Sequence, residues 1–244
     1  MGAHPFQSPT AIVFLGLLSA HLLGDFVLQT DRDVQRKDEL RVLLRHALMH
    51  AILAYLLVGA WRLWWLFAAL GLLHFGIDWL KLKLAEKVQA PLLFMADQMG
   101  HLGTLILATW LSLALNPGTF YWLNRFGPET AQALILTSGL ILTVTVGSVI
   151  AGFLVKPFLQ QMEDMRGLEK GGKYIGQLER GIIFFFVMVG KPEAVGFLVA
   201  AKSIFRIGER EKRKEAEYFL IGTLFSFGWG LLFAWTTKQL LGAG

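Results

Sequence analysis

Four stretches of the sequence each carry two residues of metal-ligating type, always four positions apart. The pairs are His21 and Asp25, His46 and His50, His74 and Asp78, and Asp97 and His101. Residues four apart on an α-helix share one face, with Cβ atoms about 5–6 Å apart, so both members of a pair can bind one ion. Imidazole and carboxylate groups suit zinc, manganese or iron. The chain has no cysteine, which excludes thiolate ligands, iron–sulfur clusters and disulfides.

Each pair lies inside a long apolar run, where an isolated polar side chain is energetically costly. The chain is 55% hydrophobic and 17% charged, with a mean hydropathy of +0.52, far from the average of soluble domains. Its apolar runs have the length of membrane-crossing helices and lack the alternation of strands. We therefore predict an all-α, polytopic membrane protein with about eight transmembrane helices. Nothing basic precedes the first run, so we expect it to remain as a helix and not to be cleaved as a signal peptide.

The predicted organisation has two halves of four helices each. Residues 1–115 form the half with the His/Asp pairs, 116–130 an outer loop, and 131–244 a C-terminal half with basic residues near the cytoplasmic side. The predicted helices cover about 9–29, 42–60, 66–84, 91–115, 131–155, 174–189, 194–207 and 217–237.

Lysine and arginine predict the orientation. With the N-terminus outside, sixteen of them fall in inner loops and four in outer segments, as the positive-inside rule requires. Both termini are then outside, and all four pairs lie at one depth in the cytoplasmic half. Basic inner loops beside anionic lipid also account for the net charge of +5, so we expect no nucleic-acid partner.

The first half contains an internal repeat. The stretches SAHLLGDFVL and LLHFGIDWLK share a His-x-x-x-Asp core followed by an aromatic residue. Two helical hairpins, residues 10–60 and 66–115, are therefore predicted to be parallel copies around a central polar or metal site.

Eight candidate ligands could hold one or two divalent ions, with zinc the first choice and manganese or iron as alternatives. A buried polar network without metal is the competing interpretation. Catalytic candidates are any of Asp25, Asp78 and Asp97 that is not committed to an ion and could act as a general base. The flanking residues Gln29, Arg45 and Gln98 could hold water or substrate, or serve only in capping and packing.

The C-terminal half carries a second group of charged residues. Arg180, Lys202 and Arg206 are predicted to lie at the inner level, where they could hold a phosphate group. Basic side chains that extend to the membrane surface are the competing interpretation.

These motifs resemble a family of bacterial inner-membrane proteins known as domain of unknown function 3307. The similar stretches are HLLGDFVLQ, RHALMH, HFGIDWLK, ADQMGHL, GQLERGI, GFLVAAKSIFRIGE and EAEYFLIGTL. The resemblance implies a multi-pass protein of the bacterial inner membrane, and the family name carries no activity. The paired His/Asp helices also show a weaker likeness to membrane-bound metal-dependent hydrolases.

We expect a metal-dependent membrane hydrolase that acts at the cytoplasmic leaflet on a phosphorylated or lipid-linked substrate. The alternatives are a transporter of a divalent metal ion or an anion, a di-iron membrane oxidoreductase, and a purely structural membrane protein. The expected partner is a membrane lipid or a lipid-linked small molecule. The sequence does not identify the substrate, the metal or the oligomeric state.

Overall fold

The computed structural model describes residues 8–115, 120–159, 171–204 and 213–242, and no strand occurs in these ranges. The α-helices are α1 (Pro9–Leu23), α2 (Asp31–Gln35), α3 (Leu40–Val58), α4 (Trp64–Leu84), α5 (Ala90–Leu115), α6 (Tyr121–Phe126), α7 (Pro128–Ile141), α8 (Gly147–Leu159), α9 (Gly171–Met188), α10 (Ala194–Ile204) and α11 (Arg213–Gly242). The predicted all-α class is confirmed for the described residues.

Six helical segments of the described chain are long and apolar enough to cross a membrane. They are Pro9–Leu28, Leu40–Val58, Trp61–Leu84, Ala90–Leu115, Pro128–Leu159 and Phe219–Gly242. The other two predicted spans, about 174–189 and 194–207, overlap α9 and α10, whose described lengths are 18 and 11 residues and which are not among these six. The lengths and compositions of the six segments indicate a membrane protein.

Two short helices form where the sequence predicted loops. The segment after the first span was expected to be a charged loop, but Asp31–Gln35 is helical. The Thr30 side chain accepts a hydrogen bond from the Asp33 backbone N–H, and the Asp33 carboxylate accepts one from the Thr30 backbone N–H. This capping box satisfies two backbone donors that a helix end leaves open. The second short helix, Tyr121–Phe126, lies in the predicted outer loop.

The described part of the chain divides into two compact units, one within residues 8–138 and the other within residues 139–242. In the first unit, α1 packs against α3 and α5, and α4 packs against the same two helices. These four helices therefore form a closed bundle, and each of the four segments contributes one of the four pairs to its interior.

One end of this bundle is apolar. Its core contains Val13, Leu17, Ala54, Val58, Leu66, Phe67, Leu70, Leu105 and Ala108, all nearly inaccessible to solvent. Several aromatic residues border this end. The Trp122 indole N–H donates to the Leu56 carbonyl, and the Tyr55 hydroxyl donates to the Trp61 carbonyl. Helix α3 ends here at Gly59, whose φ of 67° is a left-handed conformation that glycine adopts readily. The polar pairs lie toward the other end of the bundle.

The second unit is built on α8, α9 and α11, which pack together around a π-helical turn, Leu142–Val146. Its apolar core contains Ile183, Phe184, Val187, Val195, Phe227 and Ala234. A π-helical turn disturbs the regular i to i−4 hydrogen bonds, so carbonyl groups near it need other donors. The carbonyl of Leu142 accepts from the indole N–H of Trp229 at 2.9 Å.

Candidate metal centre

Asp25 lies at the centre of the polar cluster because α1 does not end as a regular helix. The helix continues into a π-helical turn, Gly24–Leu28, a feature that is frequent at functional sites. The Asp25 Oδ1 atom lies 3.0 Å from the Nε2 atoms of both His46 and His50 on α3. It also lies 3.7 Å from Nε2 of His74 on α4. One carboxylate oxygen therefore faces three imidazole rings from two other helices.

A glycine permits this approach. A Cβ atom at Gly24 would lie 2.4 Å from both Cε1 and Nε2 of His50, closer than real Cβ contacts. The ring of His50 can occupy its position only because residue 24 has no side chain. This role was not predicted from the sequence, where the glycine between His21 and Asp25 was the only signal of it.

The histidines of α3 and α4 converge on one another. The Nε2 atoms of His46 and His74 are 3.1 Å apart, and the rings of His50 and His74 stack with centroids 3.7 Å apart. The Oδ2 atom of Asp78 is 3.3 Å from Nε2 of His74 and 3.5 Å from Nε2 of His46. The two pairs thus share one interior space between their helices.

A second grouping joins α4 and α5. The Nε2 atom of His101 lies 3.4 Å from Oδ1 of Asp97 and 3.8 Å from Oδ1 of Asp78. Among the described residues, both of these Oδ1 atoms and both ring nitrogens of His101 are buried without a hydrogen-bond partner. Buried polar atoms are rarely left in this state, and a cation bound between them would satisfy the carboxylate oxygens and one ring nitrogen.

The remaining ligand candidate, His21, connects the two groupings. Its Nε2 atom lies 3.7 Å from Oδ2 of Asp25 and 3.2 Å from Oε1 of Gln98. The amide nitrogen of Gln98 lies 3.1 Å from Oδ2 of Asp97 and 3.4 Å from Oδ2 of Asp25. Gln98, predicted only to flank the pairs, therefore bridges three of their members.

All eight predicted ligands belong to groups whose donor atoms lie within 4.8 Å of one another. The groups are Asp25, His46, His50 and His74; His21, His74 and His101; and Asp78, Asp97 and His101. The histidines, Asp78 and Asp97 are buried, and the Asp25 side chain is 9% exposed. Each group combines nitrogen and oxygen donors of the kind that transition metals accept and could hold an ion.

Two lysines that were predicted only as part of basic loops enter the cluster. Lys37 Nζ lies 2.9 Å from Oδ2 of Asp78, and Lys81 Nζ lies 2.6 Å from Oδ2 of Asp97. Lys81 follows Asp78 by three positions on α4, a spacing that could have indicated a shared face. Lys37 lies beyond α2, in a segment with no periodic signal.

The other two flanking candidates lie at the edge of the cluster or outside it. The Gln29 amide nitrogen is 3.5 Å from Nδ1 of His46, at the limit of a hydrogen bond. Arg45 is exposed and pairs with Asp33.

The pKa of Asp33 lies below its ordinary value because the Thr30 hydroxyl and backbone N–H both donate to its carboxylate, and Arg45 adds to this effect.

The basic residues predicted to hold phosphate belong to the second unit. The guanidinium of Arg180 is buried and donates to the Val144 carbonyl and to the Ser226 hydroxyl. Lys202 pairs with Glu179 at 2.6 Å. Arg206 lies outside the described residues.

Little space is open on the apolar side of the cluster. A cavity of about 10 Å³ separates the rings of His21, His50, His74 and His101 from Leu17, Ala54, Leu70 and other side chains of the bundle core. Such a cavity has room for about one water molecule. On this side the cluster is closed by the bundle core, and Lys37 and Lys81 contact its carboxylates from the other end of the bundle.

A family model described as "Protein of unknown function (DUF3307)" matches residues 13–125. The match covers the four stretches that contain the His/Asp pairs, so the resemblance to this family is confirmed for that part of the chain. The family-like stretches of the C-terminal half lie beyond it. No curated protein and no solved structure matches the chain.

Proposed function

We propose that the protein is a metal-dependent membrane hydrolase that acts at the cytoplasmic leaflet on a phosphorylated, lipid-linked substrate. The observation that carries the proposal is the convergence of five histidines and three aspartates in the interior of one four-helix bundle. Their burial needs compensation by partners or by an ion.

The geometry around Asp25 favours an ion over a network of hydrogen bonds. A neutral imidazole has one N–H and one acceptor nitrogen, yet the Nε2 atoms of His46, His50 and His74 are all directed at the same oxygen. Four ligands at zinc distances of about 2.0–2.1 Å in a tetrahedron lie about 3.3 Å from one another. The separations from Asp25 Oδ1 to these nitrogens, and between His46 and His74, are 3.0–3.7 Å.

The arrangement supports two ions. The group of Asp25, His46, His50 and His74 shares no residue with the group of Asp78, Asp97 and His101, so each can bind one. His21 lies between the two groups and can complete the coordination sphere of either ion. The donor set suits zinc first and manganese or iron as alternatives.

A bound divalent ion would polarise a phosphoryl oxygen and lower the pKa of a bound water toward about 7. The chain would position these groups and accept the proton that water loses. Asp25 is the best candidate for the proton acceptor through its Oδ2 atom, because Oδ1 is the oxygen that faces the three histidines. Its side chain is 9% exposed, while those of Asp78 and Asp97 are each 1% exposed. The mechanism is built on residues of the first unit. Arg180 donates to Val144 and Ser226, and Lys202 pairs with Glu179, all within the second unit.

The proposal includes a topology in the bacterial inner membrane. Eight spans, with α9 and α10 as the sixth and seventh, place both termini outside and the pairs in the cytoplasmic half. In this arrangement the hairpins of α1 with α3 and of α4 with α5 are parallel repeats around the metal centre.

The surroundings of the cluster favour hydrolysis over transport. A transporter needs polar groups along a path to the opposite side. The bundle beyond the cluster is filled by the apolar core around Leu17, Phe67 and Leu105. The hydroxyl of Thr109, a polar group at this depth, donates to the Leu105 carbonyl within its own helix.

Metal-supplemented protein in detergent tests the function. We expect one or two transition-metal ions per chain and release of phosphate from a lipid phosphomonoester, lost on chelation and restored by zinc, manganese or iron. Asp25→Asn should abolish turnover, and Gly103→Ala should not, because a Cβ there meets no atom within 4 Å. Bound metal without turnover of any phosphorylated lipid would exclude the hydrolase and leave the metal centre intact.

A further inference from the structure

Two ammonium groups reach the metal-centre carboxylates from the end of the bundle that lies away from its apolar core. Lys37 Nζ lies 2.9 Å from Asp78 Oδ2, and Lys81 Nζ lies 2.6 Å from Asp97 Oδ2. Both aspartates also direct their Oδ1 atoms toward His101. Each carboxylate thus has one oxygen facing a lysine and one facing His101, and the lysine-facing oxygen of Asp78 also lies near His46 and His74.

We propose that Lys37 and Lys81 form the anion-binding subsite of this centre and bind the phosphate group of a phosphomonoester. This inference rests on the proposed metal-dependent function, and it assigns the phosphate contact to lysines of the first unit.

Charge supports the assignment. Three aspartates and two lysines with neutral histidines carry a net charge of −1, one divalent ion changes this to +1, and two ions change it to +3. A positive charge of this size in the interior of a membrane bundle is strongly unfavourable. A doubly charged phosphate offsets most of it, so the structure favours an anion that binds together with the second ion.

The two lysines differ in a way that indicates the direction of entry. The Lys37 side chain is 10% exposed and the Lys81 side chain is 29% exposed. The ammonium of Lys81 lies 5.7 Å from the centroid of the Phe94 ring on α5. The anion therefore enters beside Lys81 and Phe94, between α4 and α5, and Lys37 closes the inner side of the subsite.

The test measures binding of inorganic phosphate to the metal-loaded full-length protein in detergent by calorimetry, with metal content determined on the same samples. We expect Lys37→Gln and Lys81→Gln each to weaken phosphate binding about tenfold or more, because each removes a charge-assisted hydrogen bond. Metal content should stay at the wild-type level, since neither lysine is a metal ligand. Lys81→Arg should retain most of the affinity.

Lys83→Gln is the matched control. It removes the same charge from the same helix, but Lys83 is exposed and its ammonium lies over the Trp79 ring, 5.6 Å from the centroid. We expect no change in phosphate binding. Lys37→Gln could fail to fold, because it leaves the buried carboxylate of Asp78 without its partner. In that case the phosphate affinity of Lys81→Gln decides the question, since the partly exposed side chain of Lys81 can be replaced with less effect on folding.

A second arm distinguishes the source of the phosphate. Short-chain phosphatidic acid in mixed micelles should bind more tightly than inorganic phosphate if the ligand is a lipid, and equally if it is a soluble ester. Phosphatidylcholine, a phosphodiester without the second negative charge, should bind in neither case.

Unchanged phosphate affinity in both glutamine variants with full metal content would overturn the subsite and leave the metal centre standing. Absence of metal from the wild type would instead refute the proposed function and this inference with it.

Discussion

The Nε2 atoms of His46 and His74 lie 3.1 Å apart although the two residues belong to different helices. Both atoms also face Asp25, which a third helix contributes through its π-helical turn. A contact between two imidazole nitrogens needs either a shared proton or a shared cation. The two possibilities differ in what happens to bound metal when one ring is removed.

His46→Ala and His74→Ala should each reduce the metal content of purified protein by about one ion. Loss of one ligand leaves an incomplete coordination sphere. Residues that only orient ligands change metal affinity by about 10–100-fold, and we expect a larger loss of metal affinity here. Elemental analysis after dialysis measures the change. His4→Ala, the same substitution at the histidine outside the four pairs, is the control. Full metal content in both cluster variants would favour a hydrogen-bonded network.

Gly24→Ala should damage the centre without removing a ligand. The added Cβ would lie 2.4 Å from two atoms of the His50 ring, so the ring or the π-helical turn must move. Overpacking of this kind destabilises by about 1–3 kcal/mol, and we expect weaker metal binding and a lower thermal midpoint. Gly76→Ala on α4 is the control, because a Cβ there meets no atom within 4 Å. Equal metal binding and equal thermal midpoints in the two variants would show that the position of His50 does not depend on the absence of a side chain at residue 24.

Arg180→Lys should destabilise the second unit and leave metal content unchanged. Lysine cannot reproduce the donors that Arg180 directs at the Val144 carbonyl and the Ser226 hydroxyl. An unsatisfied buried group costs about 1–3 kcal/mol, which lowers the midpoint by about 2–4 °C for each kcal/mol in a chain of this size. Arg125→Lys, at an exposed arginine, should leave the midpoint unchanged. An unaltered midpoint together with weaker phosphate binding would instead restore the ligand role predicted from the sequence.

The topology can be tested directly, because the chain has no cysteine and any single cysteine reports its own position. Glu86 follows α4 at the end of the bundle where the lysines lie, and Glu129 lies in the first turn of α7. The two test variants are Glu86→Cys and Glu129→Cys. In intact cells an impermeant thiol reagent should label residue 129 and reach residue 86 only after the membrane is opened. Labelling of residue 86 from outside would reverse the orientation and move the site away from the cytoplasmic leaflet.

The spans of the first half were predictable because hydropathy and capping are local properties. The predicted span of about 9–29 corresponds to Pro9–Leu28, and that of about 66–84 to Trp61–Leu84. The i, i+4 spacing likewise required each His/Asp pair to share a helix face, since helix geometry determines it without tertiary contacts. The family resemblance depended on the same stretches together with three in the C-terminal half, and the family model matches the first of these two parts.

What each side chain contacts depended on how the helices pack, and sequence spacing carries no information on that. Lys37 and Asp78 are 41 positions apart and come together only when the segment after α2 folds against α4. Arg180 was predicted to lie at the inner level as a phosphate-binding candidate. The structure adds a contact that sequence spacing does not indicate, because its guanidinium donates to the Val144 carbonyl in the π-helical turn of its own unit. Hydropathy and periodicity thus determined that the paired residues share the interior faces of their helices. Only the packing of the helices decided which of them face one another and which other side chains join them, because a hydrogen bond or an ion needs donor atoms placed to within a few tenths of an ångström.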